Sequence, residues 1–409
     1  MPNHVLYLSY DGISDPLGQS QILPYLKGLA LKGNVIHLVT TEKKIDKETA
    51  IQFKNNLSQI GINWQYIDYT KRPPIVSTLY DIWKLKRKVN NILKANDIKL
   101  IHCRGYITGL VGLSYKLTKS IPFIFDMRGL FADERKDSGN WNIKNPIYNK
   151  VYKWFKKKEI KLFKNADYII SLTEKGKQII ETEIVKSSCL KIEIIPCCVD
   201  LNKFDYQKQE GSLKNKIKKE LNIPEDAFVF AYLGSVGTWY MLDEMIEFFK
   251  LLSERITNSI FLFISNEQPA IIENAVLKKG ADINRFRMTS QPSSMVPQYL
   301  TVSDWGLFFI LPVFSKKASS PTKLAEFLAM GIPVITNSGV GDVDELVNEN
   351  NAGILVDGFT DKAFNVAIQK IIAFERSEKS FYRAISEKYF DVEKGIEKYS
   401  EVYKKIIKN

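Results

Sequence analysis

The sequence predicts an α/β protein built from two Rossmann-like, doubly wound parallel-sheet domains facing across a cleft. Three observations carry that expectation. The chain has 409 residues, enough for two domains that each bury a core. Short β-branched and aromatic runs alternate with amphipathic stretches, as βαβ units do when a parallel sheet is covered on both faces. The alternation occurs twice, with a polar interruption between the two series.

In the first series the expected strands are Val5–Ser9, Val35–Thr41, Trp64–Tyr69, Leu100–Cys103, Phe123–Met127, Tyr168–Leu172 and Ile192–Ile195. From Asp200 to Asp226 the pattern dissolves into a Lys/Gln/Gly-rich stretch ending in Asn222-Ile223-Pro224-Glu225-Asp226, which reads as a connector. The second series comprises Phe228–Leu233, Ile260–Ser265, Phe286–Thr289, Trp305–Ile310, Val334–Thr336 and Gly353–Val356. The expected organisation is therefore an N-terminal domain over 1–199, a linker over 200–226 and a second domain over 227–390. A terminal helix within 391–409, from about Val392 to Ile407, has the N-terminal domain as one possible packing partner. Open parallel sheets bind ligands beyond the carboxyl ends of their strands, so the loops at those ends are where chemistry is sought.

Composition narrows the function classes. With 45% hydrophobic and 25% charged residues the chain is an ordinary globular protein, neither disordered nor fibrous. Its formal charge of +12 favours anionic partners such as phosphates or an acidic membrane leaflet. The basic residues are scattered and no nucleic-acid-binding pattern is present, so nucleic acid is not expected. Cys103, Cys189, Cys197 and Cys198 form no C-x-x-C pair and fit a reducing compartment. No Lys or Arg precedes the short apolar run at Val5–Leu8, and the most apolar window, Trp305–Phe314, is too short to span a bilayer. A cytoplasmic location is expected, with any membrane contact peripheral.

The densest motif is Ser319-Ser320-Pro321-Thr322-Lys323-Leu324-Ala325-Glu326 followed by Gly331-Ile332-Pro333. Ser320 suits an N-cap and Pro321 the first helical position, so a helix is expected to open here with its free amides toward a ligand. Lys323, one turn in, would meet a phosphate, and Glu326 on the same face would accept hydrogen bonds from a sugar diol. A plain surface ion pair is the alternative. Gly234-Ser235-Val236-Gly237 after the first strand of the second domain offers backbone amides to an anion, or is simply a strand-to-helix turn. Trp239 and Tyr240 belong either to the core or to the ligand's flank.

In the first domain, Tyr10–Gln21 joins strand to helix, with Gly18 and Gln19 expected at the helix mouth or on a solvent loop. Asp126 and Arg128 are expected to alternate with Met127 on a strand and share a face, as a functional or a structural pair. His4 and His37 read as structural, and His102 as a neighbour of the site. Asp342-Val343-Asp344 has the spacing of a metal motif but opens a helix, so no metal ligand is assigned. The stretch Val151–Lys164 is helical in period, with lysines around Trp154 and Phe155; it suits either a solvated face or an anionic leaflet.

The ordered set Gly18, Ala166–Thr173, Ile195–Asp200, Tyr232–Gly234, Glu326–Ile335, Gly341 and Glu345 resembles the retaining glycosyltransferases of family 4, which have the GT-B fold, over nearly the whole chain. The resemblance implies transfer of a hexose-type sugar from a nucleotide-diphosphate-sugar donor to a saccharide or lipid-linked acceptor, in a bacterial polysaccharide or glycolipid pathway. It implies same-face transfer, with no metal and no cofactor besides the donor. The second domain would bind the donor and the first the acceptor. Gly18, Gln19, Gly234, Ser235, Gly237, Ser319, Ser320, Thr322, Lys323 and Glu326 would contact the donor, Glu326 at its ribose. Asp126, Arg128 and Lys323 would carry catalysis.

Three departures from the family pattern stand out. Ala318 occupies the position of the family's first glutamate, Gly234–Met241 lacks the cations that usually grip the diphosphate, and Arg128 replaces a histidine. These leave room for a GT-B sugar-nucleotide epimerase or a catalytically silent nucleotide-sugar-binding scaffold.

Overall fold

The computed structural model describes residues 2–209 and 211–408. The chain forms two compact units, one of residues 1–196 together with 392–409 and the other of residues 197–391. Each is built on a wholly parallel sheet.

The strands of unit 1 are β1 (Asn3–Ser9), β2 (Asn34–Glu42), β3 (Ile62–Asp68), β4 (Ile98–Arg104), β5 (Phe123–Asp126), β6 (Tyr168–Ser171) and β7 (Ile192–Ile194). They are arranged β3-β2-β1-β4-β5-β6-β7. Unit 2 contains β8 (Phe228–Leu233), β9 (Ser259–Ile264), β10 (Phe286–Thr289), β11 (Trp305–Leu307), β12 (Val334–Asn337) and β13 (Gly353–Val356), arranged β10-β9-β8-β11-β12-β13. In both sheets the strand order reverses beside the first strand, at β1/β4 and β8/β11, the switch point where doubly wound folds hold ligands. The central strands are buried on both faces, which is why they read as near-continuous apolar runs.

The segment expected to be a linker is instead part of unit 2. Residues Gly211–Glu220 are helical, and Phe204, Ile217 and Ile223 are buried in the unit's core. The Arg383 guanidinium donates to the carbonyls of Leu201 (2.9 Å), Ala329 (3.1 Å) and Phe204, tying the segment down. Its polar composition reflects a one-sided helix on the surface of the unit, not a free tether. The unit boundary also falls earlier than expected, so Cys197, Cys198 and Val199 are buried in unit 2.

The chain enters unit 2 at Cys197 and leaves it after Asp391, and the two passages lie side by side, with Val199 N–H donating to Phe390 O at 2.8 Å. The helix Val392–Ile407 then completes unit 1. Its buried Val392, Ile396, Tyr399, Val402 and Tyr403 recur at helical spacing and form one apolar stripe. No helix of the described residues is long and apolar enough to cross a membrane.

Candidate functional site

In unit 2 the chain turns sharply where β8 ends. Gly234, Gly237 and Thr238 adopt left-handed backbone angles, with φ of 99°, 94° and 47°. Gly234 N–H donates to Ile264 O at 2.9 Å, and Tyr240 N–H to Gly237 O at 3.1 Å. The tip is pinned to the chain beyond β11: Leu311 N–H donates to Trp239 O (2.8 Å) and Met241 N–H to Phe309 O (3.1 Å). Ser235 and Gly237 remain exposed.

The same stretch beyond β11 delivers two cations. A 3-10 turn, Phe314–Ala318, carries Lys316, and the helix Thr322–Ala329 carries Lys323. The Lys316 ammonium lies 3.8 Å from the Trp239 ring centroid. That of Lys323 lies 3.6 Å from the Tyr240 centroid and 5.1 Å from that of Tyr232. Both lysines are buried. Ring faces attract cations, by about 2 kcal/mol when desolvated, so Trp239 and Tyr240 act as seats that hold the ammoniums in place. A Cβ at residue 234 would stand 3.0 Å from Lys323 Nζ, so the ammonium rests against bare glycine backbone. The glycine turn therefore lacks cations of its own but is supplied with them from the neighbouring segment. Lys316 is invisible to motif reading because nothing in its local spacing ties it to Trp239.

Ser320 is not the helix cap. Pro321 holds the N-cap position with an extended ψ of 119°, so helical angles begin at Thr322. The Ser320 hydroxyl instead accepts from Cys197 N–H at 3.2 Å, and Ser319 N–H donates to Lys316 O at 3.1 Å. Ser319, Ser320 and Thr322 are half-buried, whereas Ala318 is fully buried.

Glu326 follows Lys323 by one turn and is half-buried. Burial pushes its carboxyl up, Lys323 and Lys203 pull it back, and the result is a pKa of about 7. Burial holds the Lys203 ammonium below its ordinary value against the pull of Glu326 and Asp200. Lys203 thus joins this group from the segment expected to be a linker.

In unit 1 the loop after β1 is clamped from below. The buried Glu42 carboxylate, at the end of β2, accepts from Ile13 N–H (2.9 Å), Ser14 N–H (3.2 Å) and the Ser14 and Thr40 hydroxyls (2.5 Å each). The helix Pro16–Gln21 opens two residues earlier than expected, so Gly18 is its third residue, within the first turn. A Cβ on Gly18 would meet Gly12 O at 2.1 Å, which accounts for the glycine by close packing. Gln19 N–H is spent on Asp15 O at 3.1 Å, inside the helix, while its exposed side-chain amide donates to Ser14 O at 3.4 Å.

Asp126 and Arg128 do meet, with Nη1 to Oδ1 at 3.7 Å, but not as alternating strand residues. β5 stops at Asp126, and Arg128 takes a left-handed φ of 58°, a strained backbone that redirects its side chain. Three further groups surround Asp126 Oδ2: Tyr399 OH donates at 2.9 Å, His102 Nε2 lies at 3.5 Å and Arg104 Nη1 at 3.9 Å. His102 Nδ1 shares a hydrogen bond of 2.8 Å with Tyr403 OH. Burial disfavours the Asp126 charge, but Arg128, His102 and Arg104 outweigh it and hold the carboxyl at about 2. Burial likewise holds His102 below its ordinary value, against Asp126. Asp126 is thus an ionised carboxylate fixed from four sides, three of them reached only through the fold.

His4 and His37 pair with each other at 3.0 Å. Asp342 is the N-cap position of the helix Val343–Glu349, with Asp344 in its first turn. Among the described residues no group of three or more His, Cys, Asp or Glu side chains is arranged to hold a metal ion.

Two doubly wound parallel sheets with a glycine turn at the second switch point define the GT-B architecture. Known proteins agree. The model for Glycosyltransferase Family 4 matches residues 22–203, and that for Glycosyl transferases group 1 matches residues 214–388. Escherichia coli UDP-Gal:alpha-D-GlcNAc-diphosphoundecaprenol alpha-1,3-galactosyltransferase is 25% identical over 338 residues, covering 78% of this chain and 82% of that protein. Among solved structures, sucrose-phosphate synthase from Thermosynechococcus elongatus superposes with a TM-score of 0.76 at 17% identity, covering 99% of both chains. Anabaena HepE in complex with UDP-glucose gives 0.70 at 15% identity, covering 98% of this chain and 99% of the other. The chain belongs to glycosyltransferase family 4 and is a glycosyltransferase.

Proposed function

We propose that unit 2 binds a UDP-hexose and that the hexose passes with retained anomeric configuration to a saccharide or lipid-linked acceptor held by unit 1. The observation that carries this reading is the pair of buried ammoniums, Lys316 and Lys323, seated on Trp239 and Tyr240 beside the Gly234 turn. Two fixed positive charges next to exposed backbone suit a diphosphate, and the charge that develops on a departing diphosphate suits them better still. Ser235 and Gly237 on the turn and Ser319, Ser320 and Thr322 before the helix line the same approach, and Glu326 would accept from ribose hydroxyls. The uracil base and the lipid-linked acceptor are favoured by the printed activity of the Escherichia coli relative.

The departing diphosphate takes the acceptor's proton on the face it leaves, so no strong protein base is called for. Asp126 and Arg128 would orient the acceptor hydroxyl, and Gly18 with Gln19 would shape the loop after β1. With lysines meeting the diphosphate charge, the reaction would run without a divalent ion and with no cofactor beyond the donor. The pathway would be bacterial polysaccharide or glycolipid assembly. The protein would work in the cytoplasm, peripherally at the membrane's inner face.

Titration calorimetry tests the core of the proposal. The intact protein should bind UDP much more tightly than UMP, and Lys323→Ala should abolish most of that preference. Equal affinity for the two nucleotides in the wild type would remove the diphosphate from the site.

A further inference from the structure

The helix Val76–Ala95 is apolar on two opposite faces. One face, with Leu85, Val89 and Ile92, is buried in unit 1. The other presents Val76, Leu79, Tyr80 and Trp83 to solvent, at 60%, 55%, 51% and 54% exposure. Their spacing of three, four and seven residues places them in one stripe. Large apolar side chains grouped on one surface mark an interaction site.

The chemistry around the stripe identifies what it meets. The rings of Tyr80 and Trp83 stack, with centroids 5.6 Å apart and 15° between planes. The Arg87 guanidinium lies 5.9 Å from the Trp83 centroid and the Lys84 ammonium 5.0 Å from that of Tyr80. Exposed Lys71 and Arg72 precede the helix. Residues 71–95 contain seven Lys or Arg and a single acid, Asp81. That acid is buried and bonded to Tyr10, Thr70 and Lys84, so it presents no negative charge to a partner. Lys84 is taken up by Asp81, so the cations offered beside the stripe are exposed Arg87, on the Trp83 ring, and Lys86 on one border of the helical wheel.

We propose that this face seats the protein on an anionic lipid bilayer. Trp and Tyr favour the headgroup level of a membrane, aliphatic side chains reach into the acyl boundary, and bordering cations pair with acidic headgroups. A helix lying flat in the interface needs this arrangement: one apolar stripe, aromatic in the middle, with unpaired positive charge beside it. The inference deepens the reading of a lipid-linked acceptor and assigns the anchoring to a helix other than Pro146–Asn165. In that second helix Phe155, Leu162 and Phe163 are buried, and Lys156 is paired with Asp133 and Glu159.

Co-sedimentation of the full chain with phosphatidylcholine vesicles, with and without phosphatidylglycerol, tests the proposal. The wild type should sediment with the anionic vesicles, less so in high salt and little with the neutral ones. The double substitution Tyr80→Ser with Trp83→Ser should weaken partitioning at least about tenfold, while Ile147→Ser with Trp154→Ser should leave it nearly unchanged. Both variants replace exposed side chains, and retained thermal melting and UDP titration show that they fold. Vesicle binding is read without acceptor or donor, so it stands or falls separately from the transferase reading. Absent wild-type sedimentation, wild-type sedimentation by the Tyr80/Trp83 variant, or a concentration-dependent dimer that this variant dissolves would each overturn the proposal.

Discussion

The Lys323 ammonium sits 3.6 Å from the centre of the Tyr240 ring, on the turn that follows β8. A cation held this way has lost little freedom to a flexible stem, and Lys316 on Trp239 repeats the arrangement. Replacing Lys323 by Ala should weaken UDP binding about 10- to 100-fold, the range of a charge-assisted hydrogen bond. Lys316→Ala should cost about tenfold, and UMP affinity should fall far less in both variants. Titration calorimetry with the two nucleotides measures the difference.

The Glu326 carboxyl titrates at about 7 in the folded protein, against an ordinary value of 4.5. The folded state therefore keeps a proton that the unfolded state releases, and stability falls as pH rises from about 4.5 to 7. Glu326→Gln removes this loss, so the variant should be more stable than wild type by about 3 kcal/mol at pH 8 and similar to it at pH 4. Donor affinity should move the other way: wild-type UDP binding strengthens between pH 6 and pH 8 as the carboxylate forms, while the variant stays flat and weak. Denaturation curves and titrations at matched pH check both halves.

Gly234 has a φ of 99°, and a Cβ added there would stand 3.0 Å from Lys323 Nζ. Gly234→Ala would strain the turn by about 1–2 kcal/mol and push the ammonium off its seat. The expected result is a modest fall in melting temperature together with a fall in UDP affinity. Loss of stability with unchanged UDP affinity would separate the turn from the donor.

Tyr399 OH donates to Asp126 in the interior of unit 1. Tyr399→Phe deletes one bond and leaves a buried carboxylate short of a donor, at a cost of about 1–3 kcal/mol. The Asp126 carboxyl lies at about 2, below its ordinary 3.8, so the stability it contributes is present above pH 4 and lost as pH falls through about 2. Asp126→Asn should flatten the acid limb of the stability profile over that window, which urea titrations from pH 2 to pH 5 would record.

Much of the fold was legible because parallel strands buried on both faces leave compact apolar runs in the chain, and each observed strand overlaps a stretch read as one. Glu326 and Lys323 stood out because helical spacing places them one turn apart. Contacts between distant segments left no comparable trace. Lys316 meets Trp239 only because β8 and β11 are neighbours in the sheet, and Asp126 meets Tyr399 across 273 positions. The misread linker has a physical cause as well: a lysine-rich helix with one buried side has the composition of a tether. Gly18 was read from its place after the first strand, while its close approach to the carbonyl of Gly12, which excludes a Cβ, left no trace in the sequence.

The unit that holds Asp126 and His102 is made of the first 196 residues and the last segment of the chain. During synthesis, all of unit 2 leaves the ribosome before the helix Val392–Ile407 exists. Until then unit 1 carries an uncapped, charged interior, with His102 and Asp126 lacking their tyrosine partners. A chain stopped just after Asp391 would hold every residue of unit 2 and still lack the helix that closes the interior of unit 1.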